Sequence, residues 1–223
     1  MEKIDTLLLQ HLGQFVSDHK KELVETILQA RTRHITVVLE GIHNSQNTSA
    51  AIRTCECFGI QDIHIIETNH PYEINPYVLK GSKKWVNVTT YPDGQTPVWH
   101  EKLRAEGYRI FATSPSADAT PIYDIDLSQK FAIVFGNELE GVSKETLQMA
   151  DGCVTIPMVG FTESLNISAS VAICLSTWIT KLKTMRLDVG ITREEMDAIR
   201  LDWFRRMVKR SDLIEAEFLR SIH

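Results

Sequence analysis

The chain has 223 residues, 43% of them hydrophobic and 24% charged, which is the make-up of a globular protein built on one substantial domain. Its net charge of −5 weighs against an overall electropositive coat for nucleic acid, though not against a local basic face. No apolar run approaches the roughly 20 residues of a membrane span, and the opening Met1-Glu2-Lys3-Ile4-Asp5 lacks a signal-peptide core, so a cytoplasmic setting is expected.

Residues 4–30 carry Leu8, Leu12, Phe15, Val16, Leu23 and Ile27 on a helical period, which predicts one or two amphipathic helices. Residues 35–39 form the first β-rich run. Residues 47–58 read as a helix with Asn47 at its start, Ala51, Ile52, Cys55 and Phe58 facing inward, and Gly59 at its end. Residues 62–67 are a second strand. Strand, helix and strand in so short a span make a βαβ unit, hence parallel pairing.

Residues 70–90 look loop-like. A short helix over 98–106 precedes a strand at 109–113, and a loop with Pro115 and Pro121 follows. Runs at 131–135 and 154–156 bring the strands to about five, with Ser143 capping the helix between them and a further helix over 168–178. In the tail, Thr192 and Glu195 have capping-box spacing ahead of Met196, Ile199, Trp203 and Met207 on one face. Ser211 or Asp212 is expected to cap a last helix bearing Ile214 and Phe218. The apolar faces at the two ends are expected to cover the core or a second subunit. The organisation read from this is a helical extension at 1–33, a core at 34–182 and a second helical extension at 183–223.

The four cysteines, Cys55, Cys57, Cys153 and Cys174, lack zinc or dithiol spacing, and the eight histidines form no H-E-x-x-H array. Reduced thiols and no metal are expected. Of the basic clusters, Arg31 with Arg33, and Arg205, Arg206, Lys209 and Arg210, are the expected contacts to RNA phosphates.

Three polar loops at strand ends carry the chemistry. The first runs from Asn44 to Arg53. Asn47 fits a helix cap, and Arg53 is either a surface arginine or a planar fork for a phosphate. The second, residues 135–143, sets Glu138 and Glu140 between Gly136 and Gly141. Its carboxylates are ordinary solvated caps or partners for a cationic or hydroxyl-bearing ligand, because acids repel phosphate and no P-loop lysine follows. The third, residues 156–170, has small residues and a cap at Asn166 or Ser168. Loops at the ends of parallel strands suggest one ligand shared among them. Neither a Gly-x-Ser-x-Gly elbow nor a Gly-x-Gly-x-x-Gly fingerprint is present, which disfavours a serine hydrolase or a standard dinucleotide enzyme.

Three segments, Asn47-Thr48-Ser49-Ala50-Ala51-Ile52-Arg53-Thr54, Ile133 to Ser143, and Ile156 to Gly160 with Ser164-Leu165-Asn166-Ile167-Ser168, closely resemble the three motifs of the SpoU/TrmH family. That family belongs to the SPOUT class of S-adenosylmethionine-dependent RNA 2′-O-methyltransferases, and the likeness covers residues 34 to 180. It implies a parallel α/β SPOUT sheet with a C-terminal trefoil knot, and a homodimer with the site at or near the subunit interface. It implies Arg53, Asn47, Glu138, Ser164 and Asn166 as catalytic-site residues. Thr113, Gly136, Asn137, Ile156 and Leu165 are implied as the cofactor pocket. The helical extensions resemble those of stand-alone family members that modify guanosine 18 in the tRNA D-loop. Ribosomal RNA or the tRNA wobble nucleotide is the alternative target, and a non-catalytic RNA-binding module the alternative role. Arg53 holds its proton too firmly to act as a base, so it is read as a phosphate anchor and a stabiliser of the ribose oxyanion.

Overall fold

The computed structural model describes residues 3–68, 71–116, 118–162 and 164–222. In chain order the helices are α1 (Lys3–Gly13), α2 (Asp18–Leu28), α3 (Ser45–Cys57), α4 (Pro76–Leu79), α5 (Thr96–Ala105), α6 (Lys144–Met149), α7 (Ile167–Met185), α8 (Arg193–Met207) and α9 (Ser211–Ser221). The strands are β1 (Ile35–Glu40), β2 (Asp62–Ile66), β3 (Asn87–Tyr91), β4 (Arg109–Thr113), β5 (Thr120–Pro121), β6 (Phe131–Phe135) and β7 (Gly152–Thr155). They fall into two compact units: Thr32–Val189, and Met1–Arg31 together with Gly190–His223.

The larger unit is a seven-stranded sheet in the order β3-β2-β1-β6-β4-β7-β5, parallel at every pairing. β1 and β6 are buried along their whole length. That is why they read as continuous apolar runs: a parallel sheet covered on both faces has no solvated side to alternate with. Val37 and Leu39 point into the layer filled by α3 and α7, and Val38 into the layer holding Trp99 and Leu103 of α5. Within the first layer Phe131 and Trp178 pack edge to face with ring centroids 5.1 Å apart, and the Trp178 indole N–H donates to the Ile122 carbonyl at 2.9 Å.

Two strands escape the sequence reading. β3 is a half-buried edge strand with a polar composition, Asn-Val-Thr-Thr-Tyr. β5 is two residues long and ends in Pro121, a residue the sheet tolerates at an edge. Four cap expectations meet different outcomes. Ser143 caps α6, and Thr192 with Glu195 forms the capping box of α8. Asn47 is not the cap of α3: Asn44 is, accepting the Gln46 N–H at 2.8 Å, which leaves the Asn47 side chain free to reach elsewhere. α9 also lacks a side-chain cap, because Arg210 ahead of it is left-handed (φ +60) and the Ser211 hydroxyl donates to the Arg205 carbonyl instead.

In the smaller unit the two ends of the chain pack on each other, α1 against α8 and α9 and α2 against α8. Leu8, Leu12, Ile199, Trp203 and Phe204 are buried there. This corrects one of the expected RNA contacts. Arg31 is 1% exposed with its guanidinium 5.2 Å from the Trp203 ring, so it is a core residue rather than a phosphate contact. Arg205 is held in a fork by Glu215 at 2.8 and 3.1 Å, and Arg206 pairs with Asp202 at 2.5 Å. Arg33, in the larger unit, pairs with Asp62 at 2.7 Å. Lys209 and Arg210 stay exposed.

Candidate active site

The C-terminal ends of β4, β6 and β7 open onto a cleft of about 340 Å³, within the usual range for a small-molecule site. Thr113, Gly136, Asn137, Ile156 and Leu165 all line it. β6 ends at Phe135, and the chain then doubles back so tightly that a Cβ on Gly136 would lie 2.0 Å from the carbonyl carbon of Gly141. Only glycine fits. Gly141 itself has φ +73, and Asn137 locks the turn by accepting the Leu139 and Glu140 N–H groups on its carboxamide oxygen at 2.9 and 2.7 Å. The Thr113 hydroxyl is committed to the Val134 carbonyl at 3.0 Å. What this end of the cleft offers a ligand is therefore close backbone and apolar wall. Cys174 belongs to that wall: burial pushes its thiol up to about 12, so it is neutral and no nucleophile.

At the cleft mouth the three motifs meet through one residue. The Asn47 carboxamide N–H donates to Glu138, and its oxygen accepts from the Asn166 carboxamide at 3.1 Å. Asn166 is also the cap of α7, accepting the Ser168 N–H at 2.9 Å and the Ser168 hydroxyl at 2.6 Å. A directional chain of hydrogen bonds thus runs from the start of α7 through two carboxamides to a carboxylate. Moving Asn47 out of the cap position is what makes this possible.

Ser164 lines the cleft but stands outside that chain. Arg53 is exposed on α3 and absent from the cleft lining. Six residues beyond Asn47 carry it about 9 Å along the helix and onto another face. Hydrogen bonds of the single chain therefore join Asn47, Glu138 and Asn166, with Ser164 in the cleft lining and Arg53 outside both the lining and that bonded set.

Two features went unread in the sequence. Glu40, the last residue of β1, is only 4% exposed and accepts from the Ser143 N–H at 2.9 Å, the Ser143 hydroxyl at 2.9 Å and the Thr146 hydroxyl at 2.6 Å. The one available signal is a carboxylate directly after the apolar run Val37-Val38-Leu39. Leu139, in the cleft lining, is 95% exposed, and Val159 and Phe161 of the third loop are fully exposed. Large apolar groups presented this way mark a contact surface.

Residues 34–176 match the sequence profile of the SpoU rRNA Methylase family. The tRNA (guanosine(18)-2′-O)-methyltransferase of Borreliella burgdorferi is 39% identical over 204 residues, covering 92% of this chain and 93% of that protein. The enzyme of the same name from Thermus thermophilus is 31% identical over 199 residues, covering 85% and 98%. Among solved structures, the Aquifex aeolicus TrmH/SpoU tRNA modifying enzyme superposes with a TM-score of 0.77 at 26% identity, over 86% of this chain and 98% of that one. Sequence and architecture agree, and the chain belongs to the SpoU rRNA methylase family.

Proposed function

We propose that the chain is an S-adenosylmethionine-dependent 2′-O-methyltransferase acting on guanosine 18 of tRNA. The observation that carries this is the Asn166–Asn47–Glu138 chain of hydrogen bonds, which ties the three family motifs together at the mouth of a ligand-sized cleft. Near-full-length relatives of that name support the target.

The cleft suits the cofactor. Its lining combines close backbone at Gly136 with apolar side chains, and the cationic groups among the described residues lie elsewhere, so a sulfonium meets no repulsion. Thr113, Gly136, Asn137, Ile156 and Leu165 would hold it, and when bound it supplies the methyl group. The chain's own residues do the rest. A ribose hydroxyl is a poor nucleophile until its developing charge is stabilised, and a guanidinium is always charged. Arg53 anchors the adjacent phosphate and faces the ribose oxygen. Asn47, Glu138 and Asn166 hold the turns in register, and Ser164 fixes the third. Alignment of the ribose oxygen supplies much of the acceleration.

Arg53 lies outside the cleft of its own chain, which supports a homodimer whose sites are completed at the subunit interface. The exposed Leu139, Val159 and Phe161 support the same pairing. Strand β6 enters between β1 and β4, and β7 between β4 and β5, a path that supports a C-terminal trefoil knot. In this reading residues 34–182 are the catalytic core in a cytoplasmic enzyme. The extensions at 1–33 and 183–223 serve tRNA, with Lys209 and Arg210 free to meet phosphate.

The test is Arg53→Ala with labelled cofactor and separate tRNA and ribosomal RNA pools. Wild type is expected to label tRNA at the guanosine 18 ribose. The variant loses at least 1,000-fold in turnover, on the order of an entire charge-stabilising contribution, while cofactor affinity stays within threefold. Labelling by the variant within twofold of wild type would overturn the role of Arg53, and labelling confined to ribosomal RNA would overturn the target.

A further inference from the structure

We propose that Glu40 is a positioning residue for this reaction: its buried carboxylate sets the turn at 136–143 and so holds Glu138 against Asn47. The inference rests on the proposed methyl transfer for its kinetic consequence, though not for its geometry.

Glu40 sits at the end of β1, where the neighbouring side chains of the strand are apolar. Burying a carboxylate is unfavourable unless donors surround it. Here three do, two from Ser143 and one from Thr146, and an ionised carboxylate is an acceptor-only group that can take them all. A helix cap alone does not need it, because the Ser143 hydroxyl oxygen already accepts the Thr146 N–H at 3.1 Å.

What Glu40 adds is closure of a ring. One arm is the chain from Glu40 to Asn47, the other the chain from Glu138 to Ser143. The arms are joined at one end by Asn47 and Glu138, and at the other by Glu40 and Ser143. Both arms are stiff. In the first, the Gly41 N–H donates to the Ile66 carbonyl at 2.9 Å, which ties the arm to the end of β2. In the second, the Asn137 carboxamide oxygen pins the turn by accepting the Leu139 and Glu140 N–H groups at 2.9 and 2.7 Å. With so little slack, a change in the Glu40–Ser143 link is transmitted to the Asn47–Glu138 link rather than absorbed.

The decisive experiment is a double-mutant cycle of Glu40→Gln with Glu138→Ala, read as kcat and KM for cofactor and tRNA. Glu40→Gln places an amide N–H₂ against donors. It is expected to lower kcat about tenfold in the wild-type background with KM for tRNA within twofold, and to add nothing once Glu138 is Ala. Equal losses in both backgrounds would overturn the inference, since a carboxylate serving only the fold acts regardless of Glu138. If Glu40→Gln does not fold, the same cycle with Ser143→Ala, which keeps the backbone N–H bond, is expected to give about a threefold, Glu138-dependent loss. An additive loss there counts against it equally.

Crystal structures of wild type and the folded variant, Glu40→Gln or Ser143→Ala, separate this inference from the proposed function. A wild-type protein that labels no RNA refutes the function alone. An Asn47–Glu138 hydrogen bond unchanged in that variant refutes the role of Glu40 whatever the activity.

Discussion

The base and the tip of the 136–143 turn are a few residues apart and obey different physics. At the base, Gly136 and Gly141 are in backbone contact and Glu40 gathers three donors, so the geometry is set by exclusion and by buried hydrogen bonds. At the tip, Glu138 and Glu140 are exposed and Leu139 points almost wholly into solvent. The third loop repeats the contrast: Asn166 is fixed by α7, while Val159 and Phe161 stand clear. The candidate site is built from below by buried contacts, while the side chains above it stand open to solvent.

Two measurements would break or sharpen that contrast. Gly136→Ala attacks the base. Its Cβ has nowhere to go, so the turn must open, and cofactor affinity by calorimetry is expected to fall at least 100-fold, on the order of 3 kcal/mol. Near-normal affinity would show that the base has slack after all. Phe161→Ser attacks the tip. Covering a Phe side chain is worth about 2–3 kcal/mol, so sedimentation should show self-association weakened about 30-fold while the urea midpoint of the separated protomer stays put. Unchanged association would mean that the tip faces something other than a second copy.

The smallest effect tests burial within the sheet itself. His64 on β2 is buried 3.2 Å from the Tyr91 hydroxyl, and burial pushes its imidazole down to about 4, with Asp62 opposing and Lys102 adding to the shift. The native state thus keeps His64 neutral while the unfolded chain takes up a proton below about 6.5. Stability is therefore lost as pH falls from 6.5 towards 4, by about 1 kcal/mol at pH 5.5. Urea midpoints at pH 7.5 and 5.5 should show this loss in wild type and a smaller one in His64→Gln. Identical pH dependence in the two proteins would place the titration elsewhere.

Much of this architecture is written locally. β1, β2, β4 and β6 announce themselves as short apolar runs because both faces of a parallel sheet are covered. β3 and β5 do not, since an edge strand is half solvated and a two-residue strand has no pattern to show. At the start of α3, Asn44, Ser45, Asn47 and Thr48 are all competent caps, and local chemistry alone cannot choose among them. The choice of Asn44 is what frees Asn47 for the site. Glycines and polar residues mark the three loops, but the bond from Asn47 to Glu138 spans 91 positions and appears only in three dimensions. Arg31 fails for the same reason: its charge speaks for the surface, and Trp203 from the far end of the chain encloses it.

The strand order has a consequence for how the protein comes into being. β6 occupies the seat between β1 and β4, and β7 the seat between β4 and β5, although each is synthesised after both of its neighbours. A nascent chain that has delivered only its first 130 residues therefore lacks the middle of its sheet, and with it the floor of the cleft. Translation that stops early leaves no partly competent catalyst, because the last strands to leave the ribosome are the ones that unite the rest.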